Sequence, residues 1–169
     1  MSETSADTYD LFETRAGDYG VELTRVEPSE APEAITAAVE EPAVGAPLPW
    51  EDVSLPSSVP TDPTPAQLEA AVTGVSGAEL AVADYGSIVL RQDASGSEPI
   101  SLFIDKHVAV LREEDIVPDM EAAFAWLGEE FREKRDSAIL ATGPSATADM
   151  GALVQGAHGA KTVEVIVLT

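Results

Sequence analysis

Six residues near the C-terminus, Val163-Glu164-Val165-Ile166-Val167-Leu168, constrain the fold more than any other part of the chain. The run is mostly β-branched, has no helical period, and is long enough for a strand buried on both faces. Such a strand needs a sheet covered on both sides, which points to an α/β fold. A shorter apolar run, Ala138-Ile139-Leu140-Ala141, comes before it. Between the two lie Gly143-Pro144-Ser145-Ala146-Thr147-Ala148-Asp149 and Gly156-Ala157-His158-Gly159. The predicted order is strand, small-residue loop, short helical piece, glycine turn, strand. Open α/β sheets bind ligands beyond the carboxyl ends of their strands, so a site is expected there.

The preceding residues keep the α/β rhythm. Tyr9, Phe12, Ala16 and Tyr19 share one helix face, which Gly20 ends. Val21–Val26 alternates as a strand, and Ile35, Ala38 and Val39 mark a second helix returning to a strand at 43–46. Residues 47–65 hold half of the prolines and read as one long connection, with Trp50 as an anchor. Neither flank carries its own core, so one domain over 1–169 is expected, with 1–6 as a flexible lead. After a short helix from Pro65, two apolar runs around Asp84-Tyr85-Gly86-Ser87 predict a strand, a tight turn and a strand. Residues 100–104 and 107–111 predict another strand pair. Pro118 then opens a helix whose expected core stripe is Met120, Phe124, Leu127 and Phe131, with Arg132, Lys134 and Arg135 in its last turn. The fold class expected is α/β, a single mixed open sheet flanked by helices.

Charge narrows the setting. Nine Lys and Arg face 31 Asp and Glu, a net charge of −22, yet 44% of the residues are hydrophobic, so the chain is globular. The acids are scattered, and lysine occurs only at 106, 134 and 161. Concentrated cations screen such self-repulsion within a few ångströms. The composition therefore points to a high-salt cytoplasm of the haloarchaeal kind. Thermal melts should show the midpoint rising steeply as KCl is raised toward molar levels; an unchanged midpoint would remove this argument. Nucleic acid is a poor partner for so acidic a surface.

The chain has no cysteine, which excludes disulfides, a cysteine nucleophile and cysteine ligands for an iron–sulfur cluster. His107 and His158 lack metal-ligand spacing, so no metal site is expected. No apolar run approaches the ~20 residues of a membrane helix, and the N-terminus does not resemble a signal peptide. A soluble, cytoplasmic protein is expected.

Several motifs together are distinctive. Ser76-Gly77-Ala78-Glu79-Leu80-Ala81-Val82-Ala83-Asp84 with Gly86-Ser87-Ile88-Val89-Leu90, then Thr142-Gly143-Pro144-Ser145 with Thr147-Ala148-Asp149, then Gly156-Ala157-His158-Gly159, resemble the LUD (lactate utilization) domain family. The resemblance runs from about residue 7 to 168, in a form without the N-terminal helical extension of longer members. It implies a fold similar to the ribose-5-phosphate isomerase, glucosamine-6-phosphate deaminase and CoA-transferase group. It also implies work beside iron–sulfur partner proteins that oxidise L-lactate to pyruvate, the clusters residing in those partners and no cofactor in this chain. Tyr85 departs from the small residue usual at its position and would narrow a cleft beside Asp84.

Each motif has a functional and a plain structural reading. Backbone N–H groups and the Ser145 and Thr147 hydroxyls of the Gly143–Asp149 loop suit a carboxylate or phosphate, while Ser145 equally suits a helix cap. His158, between Gly156 and Gly159, suits proton exchange with a hydroxy acid, or a turn bonded to backbone. Asp149 would orient His158 or complement a helix dipole. Asp84, Gly86 and Ser87 would approach from the neighbouring hairpin, although aspartate also favours turns for local bonding alone. His107, on a predicted strand, reads as structural. Catalytic roles are thus expected at His158, Asp149 and Asp84, and ligand contacts at Gly143, Ser145, Thr147, Gly156, Gly159, Gly86 and Ser87. Three classes of function follow. One is a non-redox subunit of a lactate-oxidising system that binds a small anion or organises partners. Another is a stand-alone enzyme on a sugar phosphate, acyl or CoA ester. The third is an assembly module with packed loops and no cavity.

Overall fold

The computed structural model describes residues 3–91, 96–133 and 137–169, with the side chains of 3–5, Glu98 and Asp149 outside that description. Helix α1 (Glu3–Asp18) leads to β1 (Glu22–Val26), α2 (Ala31–Ala38) and β2 (Ala43–Gly45). Residues 46–64 have no helix or strand, but they bury Val53 and Val59, and Arg112 stacks over the Trp50 ring at 5.3 Å. Helix α3 (Pro65–Ala70) starts at Thr64, whose hydroxyl accepts from the Gln67 N–H while the Gln67 side chain accepts from the Thr64 N–H. Then follow β3 (Thr73–Gly77), β4 (Leu80–Val82), β5 (Ser87–Arg91), α4 (Ser97–Leu102), β6 (Lys106–Arg112) and β7 (Ile116–Val117). The chain ends with α5 (Met120–Glu133), β8 (Ala138–Ala141), β9 (Ala146–Asp149), β10 (Ala152–Gln155) and β11 (Thr162–Leu168).

The strands make two sheets and a hairpin. Five parallel strands run in the order β1-β11-β6-β3-β2, and four run in the order β7-β4-β5-β8. The chain passes between the sheets from β3 to β4 and from β6 to β7. Alternation along the strands sorts the core into layers. On β6, Val108 and Val110 join Ile166, Leu168, Ile35 and the 46–64 segment on one face. Ala109 and Leu111 face the other way, joining Val165 and Val167 against α1 (Phe12, Ala16) and the inner face of the smaller sheet (Ile88, Leu90). The outer face of that sheet, Leu80, Val82 and Val89, packs on Ala123 and Leu127 of α5.

Val163–Leu168 is a buried parallel strand, as its composition predicts, but the single sheet is not found. The Ala138–Ala141 run is the edge of the smaller sheet, paired antiparallel with β5 and only half-buried. Residues 100–104 are not a strand: Ile100 and Ile104 are both buried at i, i+4, the period of the α4 turn. Gly74 admits that helix, since a Cβ there would stand 2.3 Å from the Ile100 carbonyl oxygen. No helix follows Gly143; residues 146–155 form the β9–β10 hairpin. On α5 the buried face runs through Ala123 and Leu127, whereas Phe124 is 64% exposed and Phe131 also reaches solvent. The small side chain of Ala123 seats the helix close to β4, and buried Arg91 fixes the same face by pairing with Glu130 at 2.6 Å and Glu79 at 3.3 Å. Lys134 and Arg135 lie outside the described residues.

Candidate functional site

Where the two sheets separate, the inter-sheet layer opens into a cleft of about 400 Å³. Its walls are Leu90 of β5, Ile139 and Ala141 of β8, the segment 142–147, Ser101 and Leu102 of α4, and residues 158–160 with Val163. His107 also lines it. His107 and Val163 are register partners near the start of β6 and β11. The cleft therefore opens at the amino-terminal ends of the main parallel sheet, opposite to the expected carboxyl ends. The physical reason is the second sheet: β8 runs in to deliver Thr142–Ser145 against those amino-terminal ends.

The loop and the glycine turn are tied together. The Ser145 N–H donates to the Ala160 carbonyl at 2.8 Å, and the Gly156 N–H donates to the Ser145 carbonyl at 2.9 Å. The His158 N–H donates to Ser145 Oγ at 3.3 Å. Ser145 thus clamps the root of the hairpin and holds exposed His158 at the rim. Its main-chain N–H is spent, so the anion cradle expected of a helix N-terminus is not formed here; hydroxyls and imidazoles supply the polar groups instead. No lysine or arginine is among the described residues lining the cleft.

His107 is the residue that reading the sequence as a strand pattern undervalued. It is 3% exposed, and its Nε2 lies 2.8 Å from Ser76 Oγ, itself fully buried. The two sit diagonally on adjacent strands, Ser76 opposite Ala109 on the face that His107 shares. Burial pushes the imidazole down from its usual 6.5 to about 4, so the ring is neutral at physiological pH. The signal in the sequence is a histidine beginning the run 107–111, whose other four residues are apolar and buried.

The other predicted residues divide clearly. Gly143, Ser145, Thr147, His158 and Gly159 line the cleft, and Gly156 lines an adjoining hollow with His158 and Gly159. Ser87 is buried one step behind the wall, 2.6 Å from the Thr142 hydroxyl. Asp84 and Tyr85 are exposed on a 3-10 turn, where the Asp84 N–H donates to the Pro118 carbonyl, so Tyr85 narrows nothing in the cleft. Gly86 closes that turn against α1 and serves packing. Asp149 pairs through its main chain with Ala152 at the far end of the hairpin, four extended residues or ~13 Å from Ser145. The backbone carries it away from His158; its side chain lies outside the described residues.

The family model described as LUD domain matches residues 60–168. The chain belongs to the LUD domain family. Every cleft-lining residue falls inside that LUD match. The chain is 34% identical over 168 residues to a lactate utilization protein C from Deinococcus radiodurans, covering 93% of this chain and 77% of that one. A lactate utilization protein C from Oceanobacillus iheyensis is 30% identical over 104 residues, 59% of this chain and 45% of its own. A crystal structure of a DUF162 family protein from Deinococcus radiodurans superposes with a TM-score of 0.75 at 26% identity, covering 100% of this chain and 99% of that one. The LUD architecture here, an α/β domain whose parallel sheet is flanked by helices, is that of the solved relative. Among the described residues no helix is long and apolar enough to cross a membrane.

Proposed function

We propose that this LUD domain serves lactate utilization as a non-redox subunit that holds a small monocarboxylate, such as lactate or pyruvate, in the inter-sheet cleft. Iron–sulfur partner proteins carry the electrons, in the cytoplasm, and the chain itself binds no cofactor. The names of the two curated relatives support the pathway. The observation that carries the binding role is the cleft itself, which brings Ser145, Thr147, His107 and His158 together. An assembly module with packed loops would have no such space.

The lining also bears on the ligand's class. A phosphate or CoA ester brings two or more negative charges, which proteins meet with arginine, lysine or a clear helix N-terminus. The described lining has none of these, whereas one carboxylate matches hydroxyls and a rim imidazole. This favours the subunit reading over a sugar-phosphate or CoA-ester enzyme, even with the kinship to the ribose-5-phosphate isomerase group retained as part of the proposal. In this reading His158 meets the ligand at the rim, while Ser145 positions the turn that carries it. Asp84 and Gly86 have no role in the chemistry, and Asp149 none in orienting His158.

The test is a titration of L-lactate and pyruvate into the wild type and His158→Ala, followed by calorimetry, with circular dichroism as the folding control. Loss of one hydrogen bond to a charged ligand should weaken binding by ~1.5–3 kcal/mol, roughly 10- to 150-fold, with the fold unchanged. Asp149→Ala should leave affinity nearly unaltered. Equal affinity of wild type and His158→Ala would remove His158 from the site.

A further inference from the structure

The depth of the cleft contains a polar device that neither the rim residues nor the family resemblance assigns. Ser76 and His107 are both buried, bonded to each other through Nε2, and placed on the one sheet face that looks into the cleft. A serine hydroxyl in a dry environment must give its proton to an acceptor, or the orphaned donor costs ~1–3 kcal/mol. Ser76 Oγ makes one hydrogen bond among the described residues, and its partner is His107 Nε2. The hydroxyl proton therefore goes to Nε2, which must be the unprotonated nitrogen. In a neutral imidazole the proton then resides on Nδ1, which makes no hydrogen bond to the described residues. His107 borders two spaces, the cleft and a void of about 20 Å³. The void is walled by Phe12, Ala16, Val21, Ile88 and other apolar groups, so a water there would lack the partners it needs. The complement to Nδ1–H has to come from the cleft.

We infer that Ser76 and His107 form the inner subsite of the cleft, where a tautomer-locked imidazole donates Nδ1–H to a carboxylate or carbonyl oxygen of a small monocarboxylic acid. This rests on the monocarboxylate reading above and deepens it. The subsite is neutral, which suits an interior position: it offers directional donation without a buried charge to neutralise. Ser76 is a positioning residue that acts through His107, and His107 touches the ligand. The pair also gives the cleft a polarity, with the ligand's acceptor end inward and its remaining group toward His158 at the rim.

The experiment is nitrogen-15 spectroscopy of the histidine side chains in the full chain at neutral pH, free and then titrated with pyruvate, L-lactate and acetate. The free protein should show His107 as the Nδ1–H tautomer, and Ser76→Ala should abolish that lock. Ligand should shift the His107 ring saturably, and Ser76→Ala should weaken that response tenfold or more. An Nε2–H tautomer in the free protein overturns the inference, whatever binds. A response confined to His158, with His107 silent, also overturns it while leaving cleft binding intact. If no resonance of either ring responds at millimolar acid, the monocarboxylate reading itself fails and takes the inner subsite with it.

Discussion

Replacing Gly86 with alanine is expected to lower the unfolding free energy by about 2–5 kcal/mol. Gly86 has φ +62°, a conformation that disfavours side chains, and it ends the 3-10 turn on which α1 is seated. A Cβ would stand 2.5 Å from the Ala16 nitrogen, 2.6 Å from the Arg15 carbonyl carbon and 2.9 Å from the Ala16 Cα. These are backbone atoms, so no rotamer change relieves the clash. Either the turn or the whole helix must shift, and α1 carries Tyr9, Phe12 and Ala16 into the main core. At roughly 2–4 °C per kcal/mol for a chain of this size, the melting midpoint should fall by about 5–20 °C. Gly128→Ala on α5 is the matched control: nothing lies within 4 Å of the point its methyl group would occupy, and helix propensity favours alanine by up to ~1 kcal/mol. Two variants of identical chemistry should thus move the midpoint in opposite directions. A Gly86→Ala midpoint within about 2 °C of wild type, less than a 1 kcal/mol change produces, would show that α1 does not dock as described.

Acid should destabilise the protein through His107. An unfolded chain protonates this histidine near pH 6.5, whereas the buried ring resists until about 4. Between those values the unfolded state binds more protons, so stability falls as pH drops from about 6.5 toward 4. The full contribution is about 3 kcal/mol, present above the upper value and gone below the lower one. Protonation of the many surface carboxylates acts over part of the same range, and with opposite sign because it relieves self-repulsion. The clean measurement is therefore the difference between wild type and His107→Gln in denaturant midpoints at about pH 7 and about pH 4.5, on either side of most of that window. Carboxylate effects are common to both proteins and cancel. The glutamine variant should gain about 2–3 kcal/mol relative to wild type on acidification, and parallel pH profiles would show that His107 is not the group responsible.

What the sequence reveals of this molecule depends on how local the determinant is. The β11 run, the α1 face at Tyr9, Phe12 and Ala16, and the Asp84–Ser87 turn between antiparallel β4 and β5 are all local patterns, and they form as read. The α5 stripe holds at Met120 and Leu127 but fails at Phe124 and Phe131, because two apolar faces overlap on that helix. Choosing between Phe124 and Ala123 needs the neighbouring Arg91–Glu130 pair, which is distant in sequence. Residues 100–104 mislead because five residues are too few to separate a strand from one helical turn. The site is legible in its parts, since the 143–147 loop and the 156–159 turn do converge. The end of the sheet on which they converge is not legible, because it depends on a second sheet that the strand pattern does not announce. His107 reads as structural until Ser76, 31 positions earlier, is seen beside it.

The position of β11 has a consequence for the order in which the molecule can be made. In the main sheet, β1 has one neighbour, and that neighbour is the last strand of the chain, paired from Glu22 with Glu164 to Val26 with Leu168. During synthesis β2, β3 and β6 can assemble as each emerges, but β1 has nothing to pair with until β11 has been translated. Within this sheet, the strand earliest in sequence thus waits for the strand latest in sequence. Until β11 is available, β1 lacks the neighbour it has in the sheet, and the long-range pairing of these two strands closes that edge late.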